Sequence, residues 1–396
     1  MSHTVRLTMS QALTRWLSIQ QVEINGQVGP YFAGVWAIFG HGHVAGTGEA
    51  RAGMDDVLPT FRAHNEQGMA HAAIAFAKQS RRRRAMACTT SIGPGATNMV
   101  TAAALAHVNR LPVLFLPGDV YASRRPDPVL QQIEDFADAT VSANDCFRPV
   151  SRWFDRITRP EQILDALPRA MATMIDPATC GPVTLALCQD VQAEAYDYPE
   201  AFFAPRIWRT PRPRPDTQDL ADLVAAIRSA KAPLIVAGGG VLYSGAEETL
   251  SALAAATGIP VGETQAGKGS LPWDHPQALG SIGVTGTSAA NDAAEAADLI
   301  VAVGTRLQDF TTGSRTMFAG KRLFQINVAG FDATKHGAGR VQGDARAVLA
   351  ELAEALGDWT VSSDWRDRCA EGVAGWNTAW EAATAAADAL PSDGQV

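Results

Sequence analysis

The sequence predicts an α/β protein built from two doubly wound, mostly parallel sheet domains. Three observations carry that expectation. Short apolar runs recur along the chain, each followed by a segment of helix length, which is the pattern of a parallel sheet covered on both faces. The run Arg209-Thr-Pro-Arg-Pro-Arg-Pro215 divides these runs into two series, because alternating proline holds an extended, stiff connection. The chain has 396 residues, long for one core, so two or three domains are expected.

An amphipathic helix over 9–18 opens the chain. Val35-Trp-Ala-Ile-Phe39 reads as a buried strand that ends in a glycine loop, Gly40-His-Gly-His43. A strand over 58–62 then runs into a helix over 65–80, with Asn65 as its N-cap. The alternation continues with a strand over 85–90, a helix over 95–107, a strand over 111–116, a helix over 160–174 and a strand over 182–187. These elements make a domain over 1–190, and 191–215 is the proline-rich linker. The second domain, 216–358, starts with a helix over 216–229 and a strand over 233–237, followed by Gly238-Gly-Gly240 and another helix. Further strands fall near 259–261, 299–303 and 322–326, and a helix over 345–356 closes the unit. Gly238-Gly-Gly240 lacks the spacing of a dinucleotide fingerprint, so a tight strand-to-helix turn is the reading preferred over a nucleotide site. Residues 359–396 form a helical tail in which Trp365, Trp376 and Trp380 need a surface, either a further domain or the second unit itself.

Charge and composition exclude several classes of function. A net charge of -8 is the wrong sign for a protein whose main surface neutralises phosphates. The one basic run, Arg81-Arg-Arg-Arg84, closes a helix and complements its dipole there. Five scattered cysteines without short paired spacing do not make a thiolate metal site and suit a reducing, cytoplasmic setting. Eighteen uninterrupted apolar residues occur nowhere, so neither a membrane nor nucleic acid is an expected partner.

Glu66 is the most informative residue. It stands at a predicted helix start, followed by Gly68, Ala70, Ala72 and Ala73, and small neighbours let another surface approach the carboxylate. It is either a partly buried acid that meets a ligand or a first-turn glutamate that favours the helix dipole. In parallel sheets ligands gather at the carboxyl ends of strands. Glu66, the His41 and His43 loop, and Ser91-Ile-Gly-Pro-Gly-Ala-Thr-Asn98 all follow predicted strands and can share one rim.

Together these segments resemble the thiamine-diphosphate-dependent family that includes acetolactate synthase. His64-Asn-Glu-Gln-Gly68 with His71, Thr90-Ser-Ile-Gly-Pro-Gly-Ala-Thr-Asn98 and Arg110-Leu-Pro-Val-Leu-Phe-Leu-Pro-Gly118 are similar to its pyrimidine-binding domain. Ala232-Pro-Leu-Ile-Val-Ala-Gly-Gly-Gly240, Gly267-Lys-Gly269 and Asp298-Leu-Ile-Val-Ala-Val-Gly-Thr-Arg306 are similar to its middle domain. The departures, Trp36-Ala-Ile-Phe-Gly-His-Gly-His43, the insert Gln21-Val-Glu-Ile-Asn-Gly26 and the ending Leu390-Pro-Ser-Asp-Gly-Gln-Val396, look most like the branch that hydrolyses a C–C bond of a cyclic polyhydroxy dione in inositol catabolism.

The resemblance implies thiamine diphosphate and Mg2+ as cofactors. It implies that Glu66 hydrogen-bonds the aminopyrimidine ring and favours its imino tautomer, and that Gln67 assists. Gly93, Gly95 and Asn98 then either permit close approach to the cofactor ring or only shape a helix start. His41 and His43 either orient substrate hydroxyls or are loop histidines without a task. Flavin serves some relatives in the middle domain, and nothing in this sequence demands it.

The family's third domain, with its GDG-to-NN-type segment for magnesium and the diphosphate, has no counterpart in this sequence. The resemblance therefore implies no metal ligand in these residues and an inactive chain when alone. A cut fragment, a shortened reading frame and one half of a split enzyme with a separate diphosphate-domain chain all fit. A homo-oligomer, dimer or tetramer, is expected of the complete enzyme. The alternatives are an acetolactate synthase-like carboligase and a non-catalytic subunit.

Overall fold

The chain divides into two units, Met1–Pro211 and Arg212–Val396, and the computed structural model describes residues 3–24 and 26–385. Asn25 of the insert and the ending Leu390 to Val396 lie outside the described residues.

In the first unit β1 (Thr4–Thr8) leads into α1 (Met9–Ser18). The Thr8 hydroxyl accepts from the Gln11 amide and the Gln11 side chain accepts from the Thr8 amide, a reciprocal cap that fixes where the helix starts. The insert after α1 forms a hairpin, β2 (Gln20–Ile24) with β3 (Gln27–Pro30). The main sheet begins with β4 (Phe32–Ile38), which runs into the short helix α2 (Gly40–His43), a π-helical turn over Val44–Gly48 and α3 (Glu49–Arg51). The expected glycine loop at His41 and His43 is thus helical.

Next come β5 (Thr60–Phe61), α4 (Glu66–Gln79), β6 (Ala85–Thr90), α5 (Pro94–Thr97), α6 (Val100–Asn109) and β7 (Leu114–Asp119). The single helix expected over 95–107 is broken at Asn98 and Met99, and the strand expected at 111 starts three residues later. The unit's sheet is completed by β8 (Trp153–Ile157), α7 (Ile163–Ile175) and β9 (Val183–Cys188). Its six strands are all parallel, in the order β5-β4-β6-β7-β9-β8. One face packs on α1 and α7, where Leu13, Leu17, Leu167 and Met171 are buried against Val35, Leu114 and Leu185. Burial of each such side chain contributes about 1.5–3 kcal/mol. On the other face the buried alanines of α4 and α6, Ala70, Ala73, Ala77, Ala102, Ala103 and Ala106, allow close packing of helix on helix and of α4 on β6.

The stretch expected as an extended linker begins inside this unit. β10 (Ala195–Pro199) pairs with β1, and β11 (Arg206–Trp208) pairs with β2. Trp208 Nε1 donates to Gln20 Oε1 at 2.9 Å. The arginine run is docked as well: Arg84 Nε donates to the Pro30 carbonyl at 2.8 Å, and its guanidinium lies 5.7 Å from the Phe76 ring centre.

The second unit holds a parallel sheet of six strands, β12 (Pro233–Ala237), β13 (Val261–Glu263), β14 (Ala278–Ser281), β15 (Leu299–Val303), β16 (Arg322–Asn327) and β17 (Gly339–Gln342). Their order is β14-β13-β12-β15-β16-β17. Gly238-Gly-Gly240 is a tight turn: the Gly238 and Gly240 amides donate to Val303 and Gly304 carbonyls at 2.8 and 2.9 Å, and a Cβ on Gly240 would lie 2.5 Å from Gly304 Cα. The helix Ser363–Thr384 folds back on this unit through its first turns. Trp365 is buried there and its Nε1 donates to the Pro233 carbonyl at 3.0 Å, whereas Trp380 remains 57% exposed.

Candidate active site

Parallel pairing sets the site. β4 and β6 end side by side, with Ile38 opposite Thr90, and β5 flanks β4 on its other side. The segments after these strands, carrying Gly40, Ser91 and Glu66, therefore emerge on one rim. Glu66, Asn98, Gly95, Ser91, Gly40 and Gln131 are among the residues that line a cleft of about 630 Å3 there.

Glu66 is the first residue of α4. Asn65 caps the helix from an extended conformation, its Oδ1 accepting the Gly68 amide at 2.6 Å. The Glu66 side chain is half-buried, and its Oε2 accepts a hydrogen bond from Asn98 Nδ2 at 2.7 Å. Asn98 can make this contact because it sits in the break between α5 and α6. One carboxylate oxygen is thus held by an amide while Oε1 faces Gly95, where a Cβ would stand 3.3 Å from it and 2.9 Å from Thr90 Oγ1. The arrangement offers one oriented carboxylate oxygen to a group entering the cleft.

The other expected site residues separate. Gly93 caps α5 at φ +61, and a Cβ there would collide with the Gln131 carbonyl, so its freedom serves a chain crossing. Gln67 is half-buried in the first turn of α4 and is not part of the cleft lining. His41 is half-buried beside Gly40, and its carbonyl accepts from Gln189 Nε2 at 3.2 Å.

His43 is fully buried, which the reading as a surface loop histidine does not fit. Its Nδ1 lies 2.9 Å from Gln192 Oε1. The Gln192 Nε2 donates to the Gly42 and Leu187 carbonyls, so its oxygen faces the ring and His43 carries its proton on Nδ1. Burial pushes the imidazole down to about 4, partly opposed by the hydrogen bond to Gln192.

Sequence reasoning did not find Gln131 or Gln192. Each acts on a segment far away in the chain, Gln131 on Ser91 across 40 residues and Gln192 on His43 across 149. Neither lies in a periodic stretch or a motif, so no local signal marks it. The same holds for the buried Asp119, which accepts from Arg156 Nε at 2.7 Å and from Ser142 Oγ at 2.5 Å. Among the described residues no group of three or more His, Cys, Asp or Glu is placed to hold a metal, and no helix is long and apolar enough to cross a membrane.

Two segments of the chain match described protein families. Residues 47–139 match the family described as thiamine pyrophosphate enzyme, N-terminal TPP binding domain, and residues 220–352 match thiamine pyrophosphate enzyme, central domain. The chain is 50% identical over 374 residues to a 3D-(3,5/4)-trihydroxycyclohexane-1,2-dione hydrolase of Geobacillus thermodenitrificans, covering 94% of this chain and 58% of that protein. Hydrolases of the same name from Clostridium tetani and Listeria monocytogenes are 48% and 46% identical over 94% and 95% of this chain. The chain spans 58% of the length of each of these relatives.

Proposed function

This chain consists of the N-terminal and central domains of a thiamine pyrophosphate enzyme, and on that premise we propose that it forms the pyrimidine-binding side of a hydrolase that opens a cyclic polyhydroxy dione. The substrate in this reading is 3D-(3,5/4)-trihydroxycyclohexane-1,2-dione and the product 5-deoxy-D-glucuronate, in inositol catabolism. The single observation that carries it is the carboxylate of Glu66, set at a helix start in the cleft and oriented by Asn98 at 2.7 Å.

The cleft fits an aminopyrimidine ring. Oε1 of Glu66 is free to share a proton with a ring nitrogen, and Gly95 brings no side chain to the cleft lining beside it. When bound, thiamine diphosphate supplies a nucleophilic thiazolium carbon and takes up the electron pair released when the C–C bond breaks. Glu66 is the residue that holds and moves the proton at the pyrimidine. Asn98 positions Glu66, and Gln67, next to it in the first turn of α4, assists Glu66. Gly93 lets the chain cross beneath Gln131. His41, on the turn beside Gly40, orients substrate hydroxyls, and His43 holds that turn through Gln192. The diphosphate and its Mg2+ are held by the remaining share of the relatives' length, in the same chain or in a separate one, and these two domains alone are inactive. No residue of this chain is assigned to bind flavin. The complete enzyme is a dimer or tetramer. The five unpaired thiols support a cytoplasmic setting.

The test is hydrolysis of the dione by this chain completed to the length of its relatives, with thiamine diphosphate and Mg2+ present. Formation of 5-deoxyglucuronate is expected, with a loss of about 100-fold or more in Glu66→Gln. Conversion of pyruvate to acetolactate with no turnover of the dione would replace the substrate assignment by the carboligase. Supplying the remaining share of the relatives' length as a separate polypeptide, and finding turnover with it, would support the split arrangement.

A further inference from the structure

We propose that Gln131 is a substrate-contacting residue of this cleft that reads the oxygens of an uncharged, polyhydroxylated ligand, an inference that rests on the hydrolase reading above. Gln131 belongs to the segment between β7 and β8, in a stretch that forms neither helix nor strand. It is nevertheless held from several sides. Its backbone sits at φ +64, a left-handed conformation that side chains disfavour. Its carbonyl packs onto Gly93 so closely that no side chain fits there. Its Oε1 accepts from the Ser91 hydroxyl at 3.4 Å.

The flanks are fastened too. The Val129 amide donates to Gln132 Oε1 at 3.0 Å, and Gln132 Nε2 donates to Asp127. Further back, the Asp190 carboxylate accepts the amides of Ala122 and Ser123 at 2.8 and 3.1 Å. Strain of this kind persists where the surroundings over-determine it, and such places cluster at ligand sites. The outcome is a carboxamide on the same cleft as Glu66, with its oxygen on Ser91 and its Nε2 without a protein partner among the described residues.

The lining indicates the ligand class. Besides Glu66, Asn98 and Gly95, the residues read above as serving the pyrimidine ring, it presents the hydroxyls of Ser91 and Thr97 and the Gln131 carboxamide, and its remaining members are uncharged. These groups donate to and accept from hydroxyl and carbonyl oxygens. They offer no counter-charge to a carboxylate, so a neutral ring bearing hydroxyls and ketones fits better than a 2-oxo acid.

The experiment measures kcat and KM for the dione separately in the full-length enzyme carrying Gln131→Ala or Gln131→Glu. Thiamine diphosphate affinity and melting temperature serve as controls. Loss of the Nε2 donor raises KM roughly tenfold in both variants, with kcat within about threefold of wild type and cofactor affinity unchanged. Gln131→Glu keeps an acceptor but not the donor, so KM equal to wild type in that variant overturns the proposal. So does an unchanged KM in Gln131→Ala, or a rise in KM matched by an equal loss of cofactor affinity. A wild-type enzyme that turns over no dione overturns the parent reading and this one with it.

Discussion

His43 makes the first unit sensitive to mild acid. Its imidazole titrates near the ordinary 6.5 in the unfolded chain and at about 4 in the folded one, because full burial penalises the charged form. Between those values the unfolded state binds more protons, so stability falls as pH falls. Linkage across that gap gives a loss of about 1.3 kcal/mol between pH 7.5 and 5.5, and about 3 kcal/mol by pH 4. The assay is guanidinium unfolding at pH 7.5 and 5.5, in wild type and in His43→Gln, which keeps polarity but cannot titrate. The difference of differences isolates His43 from every other group. Wild type should lose about 1.3 kcal/mol more than the variant over that interval. Equal losses would refute the buried, neutral imidazole and, with it, the proton placement inferred from Gln192.

Three further outcomes follow from the same geometry. Asn98→Ala removes the 2.7 Å donor to Glu66, and kcat of the complete enzyme should fall about tenfold with a displaced pH profile, while a KM effect alone would show that Asn98 does not position the carboxylate. Gly95→Ala sits in α5 with ordinary helical geometry, so a helix gain of about 0.5–1 kcal/mol offsets the contact at Thr90 Oγ1. Melting should move little while thiamine-dependent turnover drops, and unchanged turnover would show that the space beside Glu66 is unused. Trp365→Phe leaves the buried Pro233 carbonyl without its donor and should destabilise the second unit by about 1–3 kcal/mol in chemical unfolding.

How much of this was legible depended on the distance over which each cause acts. The parallel sheets and the cap at Asn65 were readable because apolar runs, helix-length spacing and an N-cap act within a few residues. The hairpin of β2 and β3 and the strands β10 and β11 were not. Each of these is only three to five residues long, and β2 is held by a partner nearly two hundred residues away, as the Gln20 to Trp208 hydrogen bond shows. The arginine run reads only as a helix end for the same reason: nothing local announces that Arg84 lies over Phe76 and reaches the Pro30 carbonyl. His43 shows the sharpest contrast. Flanking glycines predict a loop, but the turn is helical and closes on Gln192, 149 residues away.

Gly93 and Gly95 answer to different constraints. As letters two apart on either side of Pro94, they look interchangeable, and the sequence leaves both open between allowing approach to a ring and shaping a helix start. Their backbones say otherwise. Gly93 lies at a positive φ and meets the carbonyl of Gln131, whereas Gly95 is an ordinary helical residue whose missing side chain leaves room beside Glu66 Oε1. One glycine is required by the fold, and the other lines the cleft. A substitution at Gly93 therefore has to perturb folding and the Gln131 segment together, through about 1–2 kcal/mol of left-handed strain plus the displaced carbonyl. A substitution at Gly95 makes no such backbone demand and meets two side-chain oxygens, Thr90 Oγ1 at 2.9 Å and the Glu66 carboxylate at 3.3 Å. Since the two sit in one turn, the cleft couples its floor to its rim: moving Gln131 pushes on Gly93, and Gly93 is the cap from which the helix carrying Gly95 begins, with Asn98 at its end.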